Sequence, residues 1–322
     1  METREKILKL VAEKGQTTAS ELADDLGISR QALYMHLPKL LFDGQLTKIG
    51  KPPKVFYAPG EKLKEKVSYK IDPKIIKVID QNYFIITPSG ERLEGFFGFV
   101  YWCEKQKLPV EKTAKEYIVT LKKYSVFKKD GVISGMPKMQ GTFKKVYLDE
   151  VYYLDFYNIE RFGKTKLGQM LLYAKQSQNK KLIRELIDNI RPAIEKLVRK
   201  SKIEGVGYVS PTVKREVQFI SELRKKLNLS VKEIDITKIK TDIIVPQKTL
   251  NKLNDRIENA KRTFVVSQSG HFDTILLIDD AVGSGATLNE IAKKIKDKKL
   301  AKKVIGLAIA GSFKGMDVIS EV

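Results

Sequence analysis

The chain has 322 residues, enough for two or three domains with separate cores, and its 42% hydrophobic and 31% charged residues are ordinary for a globular protein. No apolar run reaches bilayer-spanning length, the mixed charges of METREKILKL do not suit a secretory signal, and Cys103 with only His36 and His271 leaves no disulfide or zinc constellation, so a cytoplasmic protein without membrane contact or structural metal is expected. A net charge of +21, with 33 basic against 20 acidic side chains in residues 151–322, favours a polyanionic partner, although the run KKIKDKKLAKK at 293–303 equally suits a solvated helix face.

In residues 1–60, Ile7, Leu8, Leu10 and Val11 predict an amphipathic helix ending near Gly15. Thr18 is placed to cap a second helix, ASELADDL, which stops at Gly27, and Ser29 caps a third, RQALYMHLPKLLF. Pro38 inside the third helix is expected to kink or shorten it. QLTKIGKPPKVFYAP then alternates like two short strands around a Lys-Pro-Pro-Lys tip, a β-hairpin wing. Residues 1–28 hold 4 basic and 6 acidic side chains, whereas 29–58 hold 5 basic and 1 acidic. That asymmetry assigns the second half to double-stranded DNA, with Arg30 and Gln31 for base edges and Lys39, Lys48, Lys51 and Lys54 for phosphates. The same fold also serves dimerisation or protein contacts. The segment resembles the winged-helix domains of bacterial transcription regulators.

Residues 61–149 read as a middle α+β segment of unknown role. A basic stretch, EKLKEKVSYK, precedes the strand-like YFIIT, a turn at Pro88-Ser89-Gly90 and the aromatic cluster FFGFVYWC. Rings at this density suit a core, Trp102 included, better than a base-stacking platform. KKDGVISGMPKMQGTF matches no phosphate-loop pattern and reads as a loop or hairpin.

The chemistry concentrates at 274–295, TILLIDDAVGSGATLNEIAKKI. An apolar run ending in two carboxylates, then a glycine-containing turn and an amphipathic helix, describes a parallel strand feeding a phosphate cradle at a helix N-terminus, an arrangement other α/β proteins also use. Asp279 and Asp280 can accept hydrogen bonds from vicinal ribose hydroxyls, and Gly283, Ser284, Gly285, Ala286 and Thr287 can hold a 5′-phosphate, the Ser284 and Thr287 hydroxyls adding donors.

LLIDDAVGSGAT resembles the PRPP-binding motif of type I phosphoribosyltransferases, departing at Gly283, where many members carry threonine. Upstream segments resemble the ComF-type branch: Gln247, Leu250, Arg256, Asn259 and Phe264 in its mobile lid; Pro211, Lys214, Arg215 and Gln218 in the pyrophosphate loop and following helix, with Ser210 replacing a usual proline; and Lys175 before the first core strand. The resemblance spans roughly 150–322 and implies an α/β domain with a parallel sheet flanked by helices, PRPP or a nucleotide as ligand, and Mg²⁺ carried by PRPP without an assigned protein ligand. Lys214, Arg215 and Arg256 are the residues it assigns to pyrophosphate or lid.

Joined to a winged helix, the arrangement is similar to PurR-type purine repressors and implies a DNA-binding regulator, as a homodimer. An active phosphoribosyltransferase with a nitrogenous acceptor, or a nucleotide-targeting effector released by a nucleic-acid partner, uses the same residues. No catalytic base or acceptor pocket is legible.

Overall fold

The computed structural model describes residues 3–60, 69–211, 215–239 and 245–312, without the side chains of Phe42, Lys51 and Lys248. The chain divides into two compact units, Met1–Lys70 and Ile71–Val322.

The first unit runs α1 (Thr3–Lys14), β1 (Thr17–Thr18), α2 (Ala19–Leu26), α3 (Arg30–Phe42), β2 (Leu46–Lys51) and β3 (Lys54–Pro59). Its strands form an antiparallel sheet in the order β1-β3-β2, which with the three helices is a winged helix-turn-helix. Local chemistry sets the helix limits. Thr18 Oγ1 accepts from the Glu21 amide at 3.2 Å and Glu21 Oε2 accepts from the Thr18 amide at 2.9 Å, a complete capping box. Gly27 ends α2 in the left-handed region at φ 63°, and Ser29 Oγ accepts from the Ala32 amide. Ile7, Val11, Leu22, Leu33, Leu37 and Leu40 are buried together. Contrary to expectation, Pro38 does not shorten α3, which continues to Phe42. Its ring faces solvent on the side opposite Leu33, Leu37 and Leu40, so the missing amide leaves only the Tyr34 carbonyl without its helical partner.

The second unit begins with α4 (Pro73–Asn82), β4 (Phe84–Ile86), β5 (Arg92–Glu94), α5 (Gly95–Lys105), α6 (Val110–Ser125), β6 (Lys128–Lys129), β7 (Val132–Ser134) and α7 (Met136–Thr142). It continues with β8 (Glu150–Phe156), α8 (Lys166–Ser177), α9 (Lys180–Lys200), β9 (Gly205–Tyr208), α10 (Phe219–Leu227), β10 (Lys232–Glu233) and β11 (Ile236–Lys238). The last elements are α11 (Leu253–Thr263), β12 (Phe264–Val266), β13 (Phe272–Val282), α12 (Ala286–Asp297) and β14 (Ala301–Gly311). A seven-stranded sheet has the order β10-β9-β13-β14-β8-β7-β6; the first five strands pair in parallel, and the β6–β7 hairpin adds an antiparallel edge to β8. Long apolar strands such as β13 and β14 reflect burial on both faces. Leu276, Ile278 and Leu307 face a core supplied by α8, α9 and α10, while Leu148 and Leu288 of α12 lie against Gly306.

Residues 71–149, most of the segment expected at 61–149, lie in the same compact unit as the parallel sheet. The hairpin at 128–134 extends that sheet, and the aromatic cluster packs on its flank: Tyr83 meets Phe99 at 5.2 Å, and Tyr117 meets Phe162 at 5.0 Å, while half-buried Trp102 stacks between Phe99 and Phe162. No helix among the described residues is long and apolar enough to cross a membrane.

Candidate functional site

On the winged unit, α3 shows one face to solvent. Arg30, Gln31, Tyr34, Met35 and Lys39 are exposed, Tyr34 by 53% and Met35 by 80%. Lys48 of β2 and Lys54 of β3 are exposed on the wing. Lys51 pairs with Lys54 across the hairpin end, but its side chain lies outside those described. The Arg30 guanidinium donates to Ser20 Oγ of α2, which fixes one side of it before any partner arrives. Sequence reasoning missed Tyr34 and Met35, although one helical turn beyond Arg30 and Gln31 they were legible from the 3.6-residue period. Both are large apolar groups suited to contact with a thymine methyl.

In the second unit the carboxylate pair sits within β13, not past it as expected, because β14 runs alongside to Gly311 and keeps the ladder intact through Ala281 and Val282. Alternation puts the two side chains on opposite faces of the strand. Asp280 shares the side of Ile278 and is held by Lys175 of α8 at 2.7 Å. Arg215 Nη1 donates to the Lys175 carbonyl at 2.7 Å, so three residues distant in sequence form one cluster. Asp279 shares the other side with Leu277. Burial, reinforced by the neighbouring Asp280 charge, pushes its carboxyl up to about 7, against the opposing pull of the Asp280 amide, Lys175 and Lys238. The pair is therefore partly shielded.

Lys238 at the end of β11 is a site residue that sequence reasoning missed. Burial lowers its ammonium pKa while the charge of Asp279 raises it, and it lies 4.8 Å from the centre of the Phe264 ring. No local motif marks it, since it reaches Asp279 only through the β11–β12 ribbon.

The turn after β13 leads into α12 through Gly285, whose left-handed φ of 84° any other residue would adopt with strain. A Cβ there would also collide with Met139 Sδ of α7. Ser284, Gly285 and Ala286 are buried, and Ser284 Oγ accepts from the Ala286 amide at 3.3 Å, while Gly283 and Thr287 are partly open. The first-turn amides of α12 have no carbonyl four residues back, which leaves donors and the positive end of the helix dipole at this corner. Buried Asn289 anchors the helix by accepting from the Tyr147 amide and donating to the Lys145 carbonyl.

The remaining expected residues divide. Arg256 is buried and its Nε donates to the Leu250 carbonyl at 2.6 Å, while Gln247 donates to the Arg256 carbonyl, so Arg256 organises its own segment. Lys214 lies outside the described residues.

The protein is thus a winged helix-turn-helix followed by an α/β unit with a mostly parallel sheet. Residues 1–44 match the family model of bacterial regulatory proteins of the arsR family. Among solved structures, a hypoxanthine phosphoribosyltransferase from Staphylococcus aureus is similar over 42% of this chain and 80% of its own, at 14% identity and a TM-score of 0.24. No curated protein matches.

Proposed function

We propose that the chain is a DNA-binding regulator that responds to PRPP or a nucleotide. The DNA half is supported by the regulator-family match and by the exposed basic face of α3 and the wing. The observation that carries the ligand half is the partly shielded Asp279–Asp280 pair near the C-terminal end of a central parallel strand, with Lys175 on one carboxylate and Lys238 facing the other. In this reading one carboxylate lies on each face of β13: Asp279, on the side of Lys238, accepts the ribose hydroxyls, and Asp280 holds Lys175 on the other side. Gly283, Thr287 and the first-turn amides of α12 receive the 5′-phosphate, with Arg215 and Lys238 towards the diphosphate.

Mg²⁺ would arrive with the ligand's diphosphate, with no protein ligand assigned to it. The working unit is a homodimer reading paired half-sites. The same carboxylates would serve an active transferase, the second reading.

Calorimetry with PRPP and Mg²⁺ tests the site. Each lost charge-assisted hydrogen bond is worth about 1.5 to 3 kcal/mol, so Asp279→Asn with Asp280→Asn is expected to weaken binding at least about a hundredfold. Wild-type affinity in the double variant would contradict the ribose role, and sustained pyrophosphate release with any base acceptor would favour the enzyme.

A further inference from the structure

The segment at 71–149 helps to build a cavity that the ribose-site reading does not use. It has a volume of about 680 Å³ and lies between the β6–β7 hairpin and the C-terminal part of α9. Glu150 opens β8 and Lys303 belongs to the beginning of β14, so the cavity lies towards the N-terminal ends of the parallel strands, whereas Asp279 and Asp280 lie near the C-terminal end of β13. Its floor is apolar: Phe127, Val132 and Tyr152 on the hairpin and sheet side, Ala193 and Leu197 on the helix side.

Four ammonium groups, from Lys129, Lys196, Lys200 and Lys303, line the same space with two carboxylates, Asp130 and Glu150. The carboxylates fix the cations. Asp130 and Gly131, both at positive φ, make the tight hairpin turn that brings Asp130 to 3.3 Å from Lys196 Nζ and 2.7 Å from Lys200 Nζ. Glu150 accepts from Lys303 at 2.6 Å and from the Tyr152 hydroxyl at 2.9 Å. An ammonium has three donors, so these pairs leave donors available, and the lining carries more positive than negative charge.

We propose that this cavity binds a nucleotide, its base against Phe127, Val132 and Leu197 and its phosphates on Lys196, Lys200, Lys303 and Lys129. Apolar walls with a few fixed polar groups, at a volume within the roughly 300–1,000 Å³ of small-molecule pockets, suit a ligand with a flat ring and a compact anion. A phosphate chain alone leaves the floor unused, and a neutral ring leaves the excess positive charge unanswered.

The site is independent of Asp279 and is tested with both aspartates replaced. In full-length protein carrying Asp279→Asn and Asp280→Asn, ATP without Mg²⁺ is titrated by calorimetry in parallel with tripolyphosphate. ATP is expected to bind, and adding Lys196→Ala and Lys200→Ala is expected to weaken it at least tenfold; these side chains are exposed by 53% and 65%, so their loss leaves the fold intact. Ala193→Glu, which puts a carboxylate in the floor, is expected to abolish binding while a cooperative thermal melt persists. Absence of ATP binding, unchanged affinity in the lysine variant, or tripolyphosphate binding as tightly as ATP would overturn the proposal.

Discussion

Asp279 is a strongly perturbed carboxyl of the second unit. Its carboxyl is shielded inside a strand beside a second carboxylate, with Lys175 and Lys238 as the opposing charges. Because its folded pKa is raised above the unfolded value, the folded state holds the proton more tightly, and the stability this contributes is present below about pH 4 and lost as pH rises through about 7. Asp279→Asn removes the titration. The variant is therefore expected to be more stable than wild type at pH 8, with the gap closing towards pH 4. Thermal melts across pH 4–8 check this, and a gap that does not change with pH would contradict it. On the winged unit, Tyr34 and Met35 are exposed apolar side chains beside Arg30, Gln31 and Lys39. Tyr34→Ala is expected to weaken binding to a cognate duplex more than to a random one, whereas equal weakening on both would remove it from base readout.

The winged helix was legible at the scale of elements because its signals are local. Thr18, Gly27 and Ser29 act within one helical turn, and α2 and α3 occupy the stretches that their caps delimit. Thr18→Ala is expected to cost about 1 kcal/mol, measured by urea unfolding. Wing lysines give an equally local prediction. Replacing exposed Lys48 and Lys54 by alanine is expected to lower the slope of log affinity against log salt by about 2 if each neutralises one phosphate, uniformly across sequences, and an unchanged slope would show that the wing does not touch the backbone. The shortening expected at Pro38 does not occur, since the ring falls on the solvent side of α3. The IDDAVGSGAT stretch showed the carboxylates and the loop, but not that β14 extends the ladder past them or that Met139 covers Gly285. Those contacts join residues from about 30 to nearly 150 positions apart and have no local signature, as with Lys238 and the Lys175–Arg215 bond.

At the scale of the whole chain, the two units have separate cores and separate candidate ligands. The regulator reading requires more than coexistence: a ligand can shift DNA binding only by as much as its affinity differs between the DNA-bound and free states, and the effect is reciprocal. If PRPP with Mg²⁺ changes the affinity for a cognate duplex by some factor, typically about 5- to 150-fold, the duplex must change the affinity for PRPP by the same factor. The most direct measurement is the PRPP dissociation constant of the full chain by calorimetry, with and without saturating cognate duplex. A shift equal to the one PRPP produces in duplex affinity is expected, and its loss in the Asp279→Asn/Asp280→Asn variant, which still binds DNA. Equal PRPP affinities with and without duplex would contradict it.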